Sequence, residues 1–102
     1  MPGYVIAHVK HIHDPDRYAE YAAQTPASIA SHGGRFLVRG GETDPVEFEE
    51  PIGRVVVIEF PSFDAAQGWY RSDEYRRLTA IRQSAADSFM LLVDGYEPPP
   101  GG

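Results

Sequence analysis

Cysteine is absent from this chain of 102 residues. Its absence excludes a disulfide scaffold, a thiolate nucleophile and a metal site built on cysteine. Long hydrophobic runs are missing as well: no stretch approaches the roughly 18 apolar residues of a membrane span, and Met1-Pro2-Gly3-Tyr4 lacks the basic start of a signal peptide. We therefore expect a cytoplasmic protein without a membrane partner.

Basic residues are also scarce. Lysine and arginine number 9 against 15 aspartate and glutamate residues, which gives a net charge of −6 and a pI of about 5.0. Because nucleic acids are bound through clustered positive charge, an acidic chain without a basic run is not expected to have a nucleic-acid partner.

Sequence motifs for cofactors are missing too. The glycine pairs Gly33-Gly34 and Gly40-Gly41 do not form a phosphate-binding Gly-x-Gly-x-x-Gly pattern. The chain has four histidines, His8, His11, His13 and His32. His11 and His13 would share one face of a strand, but the first strand is expected to end there, beside Asp14, so they form a solvated corner and not a metal site. No cofactor and no metal are expected.

Strand-like and helix-like patterns alternate in the order β-α-β-β-α(α)-β. They predict one domain over residues 1–96, followed by a disordered Pro/Gly tail over residues 97–102. Asp14, Ser62 and Ser72 have the residue type and position of helix N-caps, and Pro26 is expected to kink the first helix because its ring removes one hydrogen bond. The strand-like segments are Tyr4–Lys10, Arg35–Val38, Gly53–Phe60 and Phe89–Val93.

This order matches the ferredoxin-like α+β arrangement, a four-stranded antiparallel sheet with its helices on one face. Two of the strands are apolar at consecutive positions, over Val55–Ile58 and Phe89–Val93, so both of their faces need to be kept from water. Helices cover one face only. We therefore expect a homodimer in which a second copy covers the other face and the two sheets form an α+β barrel.

Several groups of residues resemble a known family. They are Tyr18 and Tyr21, Gly33-Gly34-Arg35-Phe36, Arg39-Gly40-Gly41, Arg54 to Ser62, and Trp69-Tyr70-x-Ser72-x-x-Tyr75. Together they resemble the domain-of-unknown-function 1330 family (DUF1330) of the dimeric α+β barrel superfamily, over about Tyr4 to Gly95. The resemblance implies a ferredoxin-like subunit and a homodimer, but no known reaction. The chain has Glu47-Phe48 where the family often has Glu-Gly.

Three polar residues are candidates for catalysis. Glu59 interrupts the most apolar strand, where a carboxylate is either a general acid or base or one half of an ion pair with Arg39. Arg39 precedes two glycines and could instead hold a ligand carboxylate or phenolate. His8 lies in the middle of a strand, where it is either a hydrogen-bonded core residue or a catalytic imidazole. Arg54 and Arg82 are weaker candidates, and the head of Arg82 is expected to lie in water.

Five aromatic residues fall on helix faces that should look toward the sheet. Taken singly, each is an ordinary core aromatic. Taken together, they predict an aromatic pocket for a small planar ligand. They are Tyr18, Tyr21, Trp69, Tyr70 and Tyr75.

Two functions from different classes fit these patterns. The first is a homodimeric small-molecule-binding protein that performs cofactor-independent proton transfer or oxygenation on a small planar carbonyl or phenolic compound. In that case Glu59 or His8 would be the base, and Arg39 or a tyrosine would stabilise the oxyanion. The second is a non-catalytic binding or structural dimer, with Arg39 and Glu59 as an ion pair and the aromatics filling the core.

Overall fold

The computed structural model describes residues 1–101. Their strands form one antiparallel sheet in the order β2-β3-β1-β4, which is the ferredoxin-like order, so the predicted fold is confirmed. None of the helices described is long and apolar enough to cross a membrane. The elements are β1 (Gly3–Ile12), α1 (Pro15–Ala30), β2 (Arg35–Arg39), β3 (Arg54–Phe60), α2 (Phe63–Arg71), α3 (Asp73–Ala85) and β4 (Ala86–Asp94).

Each helix begins at the capping residue that the sequence predicts. The side chains of Asp14, Ser62 and Ser72 accept the backbone N–H three residues further on, at 3.1, 3.0 and 3.2 Å. These bonds satisfy N–H groups that a helix leaves without a partner in its first turn. Helix α1 continues through Pro26 to Ala30.

Strands β1 and β4 are longer than the sequence predicts. The expected end of β1 at Lys10 and the expected start of β4 at Phe89 are wrong, because pairing continues to Ile12 opposite Ala86. Helix α3 ends at the residue before Ala86, whose backbone is already extended (φ −154°, ψ 152°), so no loop separates helix from strand. β4 begins with Ala86, Asp87 and Ser88, and the two polar residues among them do not show the apolar pattern from which the strand was predicted.

The core lies between the helices and one face of the sheet. Val5, Ile58 and Phe60 point to this side and are at most 2% exposed. The rings of Trp69 and Tyr75 pack above them, 3.9 Å apart between centroids, and both side chains are fully buried. Successive side chains of each strand point alternately to this buried face and to the opposite face of the sheet.

The opposite face, called the open face below, has no helix on it. Phe89, Leu91 and Val93 are 51%, 41% and 37% exposed there. Consistent with one helical layer on one sheet, the shortest principal extent is only 16 Å. The uncovered apolar face that the sequence predicts is therefore present. The register assigns to it Tyr4, Ile6, His8, Val55, Val57, Glu59, Phe89, Leu91 and Val93.

Residues 97–101 form neither helix nor strand. Gly102, the last residue of the predicted tail, lies outside the described residues. The division into a domain and a disordered tail stays a prediction.

Close packing at Gly34 gives a test of the core. A Cβ atom at Gly34 would lie 2.6 Å from Phe60 Cε1 and 2.8 Å from Ile29 Cγ2, whereas a Cβ at Gly68 within α2 would meet no atom within 4 Å. We expect Gly34→Ala to lower the free energy of unfolding by about 1–3 kcal/mol through overpacking. Gly68→Ala should raise it by roughly 1 kcal/mol through helix propensity. Urea denaturation measures both, and shifts of the same sign would contradict the packing described.

Candidate functional site

A cavity of about 40 Å³ lies between the helices and the covered face of the sheet, and it is partly open to solvent. Its wall is mostly apolar, with side chains from β1, β3 and β4 such as Val9, Ile58 and Met90. Ionisable side chains interrupt this wall at five positions. They are Tyr18, Tyr21, Arg39, Arg54 and Arg82.

The position of Arg39 depends on the proline inside α1. Pro26 has no N–H, so the carbonyl of Ala22 lacks its partner within the helix. Arg39 Nη2 donates to that carbonyl oxygen at 3.1 Å. The guanidinium also lies over the ring of Phe36, 4.4 Å from its centroid. Since Arg39 is exposed and lines the cavity, it places a positive charge where the cavity meets solvent.

Arg54 reaches the same cavity from β3. It lies opposite Val9 on the covered face of the sheet, and its guanidinium packs against the backbone of Gly40, where an added Cβ would lie 2.4 Å from Nη1. Gly40 has φ +71°, a conformation that favours glycine. The Nε atom of Arg54 is buried and has no hydrogen-bond partner among residues 1–101.

Arg82 is the most deeply buried cation of the site, at 5% exposure. Its Nη1 atom donates to Ser88 Oγ at 2.6 Å, while its buried Nε atom has no partner in the described part of the chain. The prediction that the head of Arg82 lies in water is therefore wrong.

No carboxylate balances these cations within residues 1–101. The residues that line the cavity include no aspartate or glutamate, and the ion pairs found there do not involve Arg39, Arg54 or Arg82. A chain with a net charge of −6 therefore has a locally positive cavity. Such a field attracts anions and electron-rich oxygen atoms.

Two tyrosines add hydroxyl groups to the cavity wall. The Tyr21 hydroxyl is 2.5 Å from that of Tyr75, which lies behind it. Burial raises the pKa of Tyr75 far above its usual range. Burial also raises the pKa of Tyr18, although the nearby Arg54 opposes the shift. Tyr18 and Tyr75 therefore remain neutral hydroxyls, able to donate hydrogen bonds, at physiological pH.

The other predicted pocket aromatics lie elsewhere. Trp69 and Tyr75 are part of the core, and the Trp69 indole N–H donates to Ser28 Oγ at 3.1 Å. Tyr70 packs beside them, 5.8 Å from Tyr75 between ring centroids. Of the five predicted aromatics, the structure brings Tyr18 and Tyr21 to the cavity.

Glu59 and His8 lie on the open face, across the sheet from the cavity. Glu59 accepts hydrogen bonds from Arg35, with Nη2 at 3.0 Å and Nε at 3.1 Å, so the expected ion pair with Arg39 is wrong. The register of β2 shifts between Phe36 and Val38, and this irregularity turns Arg39 to the side opposite Arg35. His8 Nε2 accepts the backbone N–H of Gly53 at 3.0 Å.

Sequence reasoning ranked Arg54 and Arg82 too low, although two signals could have found them. Arg54 alternates with Val56 and Ile58, which both face the core, so parity alone predicts an inward side chain. Arg82 lies seven residues after Tyr75, on the same face of α3. Both positions were ranked low because a charged side chain is usually exposed to solvent.

Comparison with known proteins agrees with the fold. A family model described as a domain of unknown function, DUF1330, matches residues 2–96. None of the curated proteins matches the chain significantly by sequence.

Solved structures are similar to this chain, the following three among them. A protein of unknown function from Rhodopseudomonas palustris has a TM-score of 0.74 and 22% identity, over 95% of this chain and 84% of that chain. A dimeric ferredoxin-like protein of unknown function from Jannaschia sp. CCS1 has a TM-score of 0.65 and 14% identity, over 95% and 100%. A cofactor-independent oxygenase from Streptomyces nogalater has a TM-score of 0.57 and 15% identity, over 97% and 96%. At these identities the similarity shows the fold alone.

The buried Tyr75 hydroxyl makes stability sensitive to alkaline pH. The pKa of Tyr75 is about 10 in the unfolded chain and higher in the folded one. The neutral hydroxyl therefore contributes fully to the free energy of unfolding below pH 10, and this contribution is lost as the pH rises above 10 toward the folded pKa. We expect Tyr75→Phe to lower the free energy of unfolding by about 1 kcal/mol at neutral pH, since one hydrogen bond is lost. Above pH 10, the fall in stability should be shallower than in wild type.

Urea denaturation at several pH values measures this slope. Tyr96→Phe is the matched control, because Tyr96 is 81% exposed, and it should keep the wild-type slope. Equal slopes for the Tyr75 and Tyr96 variants would contradict the assignment of a buried, neutral hydroxyl.

Proposed function

The chain belongs to the DUF1330 family, which is defined without a function, and from the geometry of its own site we propose that it is a homodimeric small-molecule-binding protein. Its ligand is a small planar carbonyl or phenolic compound. The observation that carries the proposal is the partly open apolar cavity into which the arginine and tyrosine side chains converge. A few polar groups on an apolar wall are typical of small-molecule sites.

The size of the cavity limits the ligand. The cavity measures about 40 Å³, whereas cavities for drug-sized ligands measure roughly 300–1,000 Å³. Only a polar head group therefore fits inside, and the rest of the ligand lies in the mouth. The exposed Arg39 lies along this part of the wall, where a flat group can stack on the face of the guanidinium that is turned away from the Phe36 ring.

The chemistry of the wall favours binding of an oxygen-rich head group over removal of a proton. In the described residues, the wall offers guanidinium and hydroxyl donors but no carboxylate and no imidazole. Such donors polarise a carbonyl and stabilise an enolate or phenolate. Glu59 and His8, the two candidate bases, face the open side of the sheet. We therefore assign both side chains to the dimer interface, and neither acts as a base in the cavity.

Cofactor-independent oxygenation is the second candidate. One observation favours it: the cations without carboxylate partners stabilise an enolate or a phenolate, the electron-rich form of such a compound that reacts most readily with oxygen. The Streptomyces nogalater oxygenase shares the fold, but shared fold is a weak basis for shared chemistry. Oxygen consumption measured with each bound compound separates this candidate from a non-catalytic binding protein.

The homodimer follows from the open face. A compact monomer of this mass exposes about 5,700 Å², whereas this chain exposes 6434 Å². Part of this excess is the apolar surface of the open face, where Phe89, Leu91 and Val93 are 51%, 41% and 37% exposed. The Jannaschia protein, which has the same fold, is described as dimeric. A second copy packed sheet against sheet would remove this apolar surface from water.

The cavity is tested by filling it. Ala22 lines the cavity, and its neighbour Ala23 on α1 is exposed. Small planar carbonyl and phenolic compounds are screened by thermal shift and titration calorimetry. We expect the compounds that stabilise wild type to stabilise Ala23→Leu equally and Ala22→Leu little, because the larger side chain occupies ligand space. Equal responses from both variants would place the ligand elsewhere.

The dimer is tested on the open face. Leu91 lies opposite Ile6 on that face, in the middle of β4, and Val46 is 80% exposed in the loop between β2 and β3. In sedimentation at micromolar concentration, we expect a dimer for wild type and Val46→Lys and a folded monomer for Leu91→Lys. The monomer follows because a charged side chain cannot be buried in an apolar interface without a partner. A stable wild-type monomer would refute the proposal.

A further inference from the structure

We propose that the ligand of this cavity is a small organic carboxylate, whose anionic head is bound between Arg82 and Arg54. This inference rests on the proposed function, since it names the chemical class of the molecule that the same cavity takes. A carboxylate ligand differs from a neutral carbonyl ligand in the charge of its head group.

The first step is the state of Arg82. A guanidinium is ionised at any physiological pH, and buried cations in proteins are normally paired with a carboxylate. Arg82 is 5% exposed, its hydrogen bond goes to the neutral Ser88, and its Nε atom has no partner in residues 1–101. A bound anion would supply the missing opposite charge.

The second step is the presence of another arginine, Arg54, beside Arg82. Arg54 lines the same cavity and also has a buried Nε atom without a partner in the described residues. Two like charges beside one small cavity repel each other, and the repulsion falls when an anion lies between them. The two positive charges beside one cavity therefore both favour binding of a negative group.

The third step is the choice among anions. A carboxylate is planar and matches the planar fork of a guanidinium, and its three heavy atoms suit a cavity of about 40 Å³. Phosphate carries more charge and four oxygen atoms, which the apolar wall around Val56 and Ile58 cannot satisfy. Chloride lacks the pair of oxygen atoms that the fork of a guanidinium binds.

The fourth step is entry. The chain as a whole carries a net charge of −6, so its surface on average repels anions. Arg39 is exposed at the cavity and held there by the Ala22 carbonyl. An exposed cation in front of two buried ones gives an anion a continuous attractive path inward.

Matched ligands test the charge of the head group. Benzoate is compared with benzamide and methyl benzoate, which keep the ring and the carbonyl but are neutral, and with phosphate and chloride. By calorimetry we expect benzoate to bind roughly ten- to a hundredfold more tightly than the neutral compounds. Phosphate and chloride should produce no shift in melting temperature.

Each other outcome overturns the inference in a distinguishable way. If the neutral compounds bind as tightly as benzoate, the carboxylate assignment fails while the small-molecule proposal stands. If phosphate binds more tightly than benzoate, the site is an inorganic anion site. If no carboxylate, carbonyl compound or phenol binds, the proposed function fails together with the inference.

A substitution separates a binding role of Arg82 from a structural one. Arg82→Met keeps the length of the stem and removes the charge, and Arg76→Met is its control on the exposed side of α3. We expect Arg82→Met to melt at or above the wild-type temperature without ligand, because a buried unpaired charge is removed. Its affinity for benzoate should fall roughly ten- to a hundredfold.

Arg82→Lys keeps the charge but loses the planar fork, so its affinity should be intermediate. Arg54→Met provides a second measurement that does not depend on the folding of the Arg82 variant, and it should also weaken benzoate binding. Wild-type affinity in Arg54→Met, combined with a lower melting temperature or unfolding in Arg82→Met, would show that the arginines stabilise the core, and it would overturn the inference.

Discussion

A four-stranded sheet has two faces, and this chain has enough helix to cover only one of them. Every other feature depends on that constraint. Alternation along the strands places Val5, Ile58 and Phe60 under the helices and leaves Leu91 and Val93 on the open side. The covered face contains the cavity, whereas the open face has the composition of an interface. The proposed binding site and the proposed dimer interface therefore lie on opposite sides of the same strands, where neither obstructs the other.

Departures from regular secondary structure place the cations. Pro26 frees the carbonyl of Ala22, to which Arg39 binds, and the shift in register of β2 turns Arg39 toward that carbonyl. Gly40, directly after Arg39, lets the guanidinium of Arg54 pack against the backbone. With a regular strand, Arg39 would have pointed to the open face, four residues along β2 from Arg35 and away from the cavity. The cavity would then have lost the positive charge at its mouth.

The sequence predicted what depends on local pattern. Helix caps at Asp14, Ser62 and Ser72, the order of the strands and the apolar open face all follow from residue type and periodicity. It could not predict the partner of Glu59, because Arg35 lies opposite Glu59 only through the pairing of β2 with β3, nor the inward turn of Arg39, because no residue pattern marks the shift of register within β2. It placed the aromatic rings on the correct side of the helices but could not say how they pack. In the structure Trp69 and Tyr75 stack on each other and fill the volume that was expected to be empty.

The aromatic and the charged residues on the covered side of the sheet contribute to stability in opposite ways. Aromatic side chains stabilise the core wherever they pack, so their presence needs no ligand to explain it. A buried guanidinium without a carboxylate has the opposite effect: desolvation destabilises the folded chain, and a leucine or methionine would fill the same space at lower free energy. Arg82 has such a position on α3, and Arg54 shares its cavity from β3. Two separate elements would hardly contribute unpaired cations to one small space through packing alone. The arrangement is explained when the missing charge comes from outside the chain, because binding then compensates the instability of the empty site.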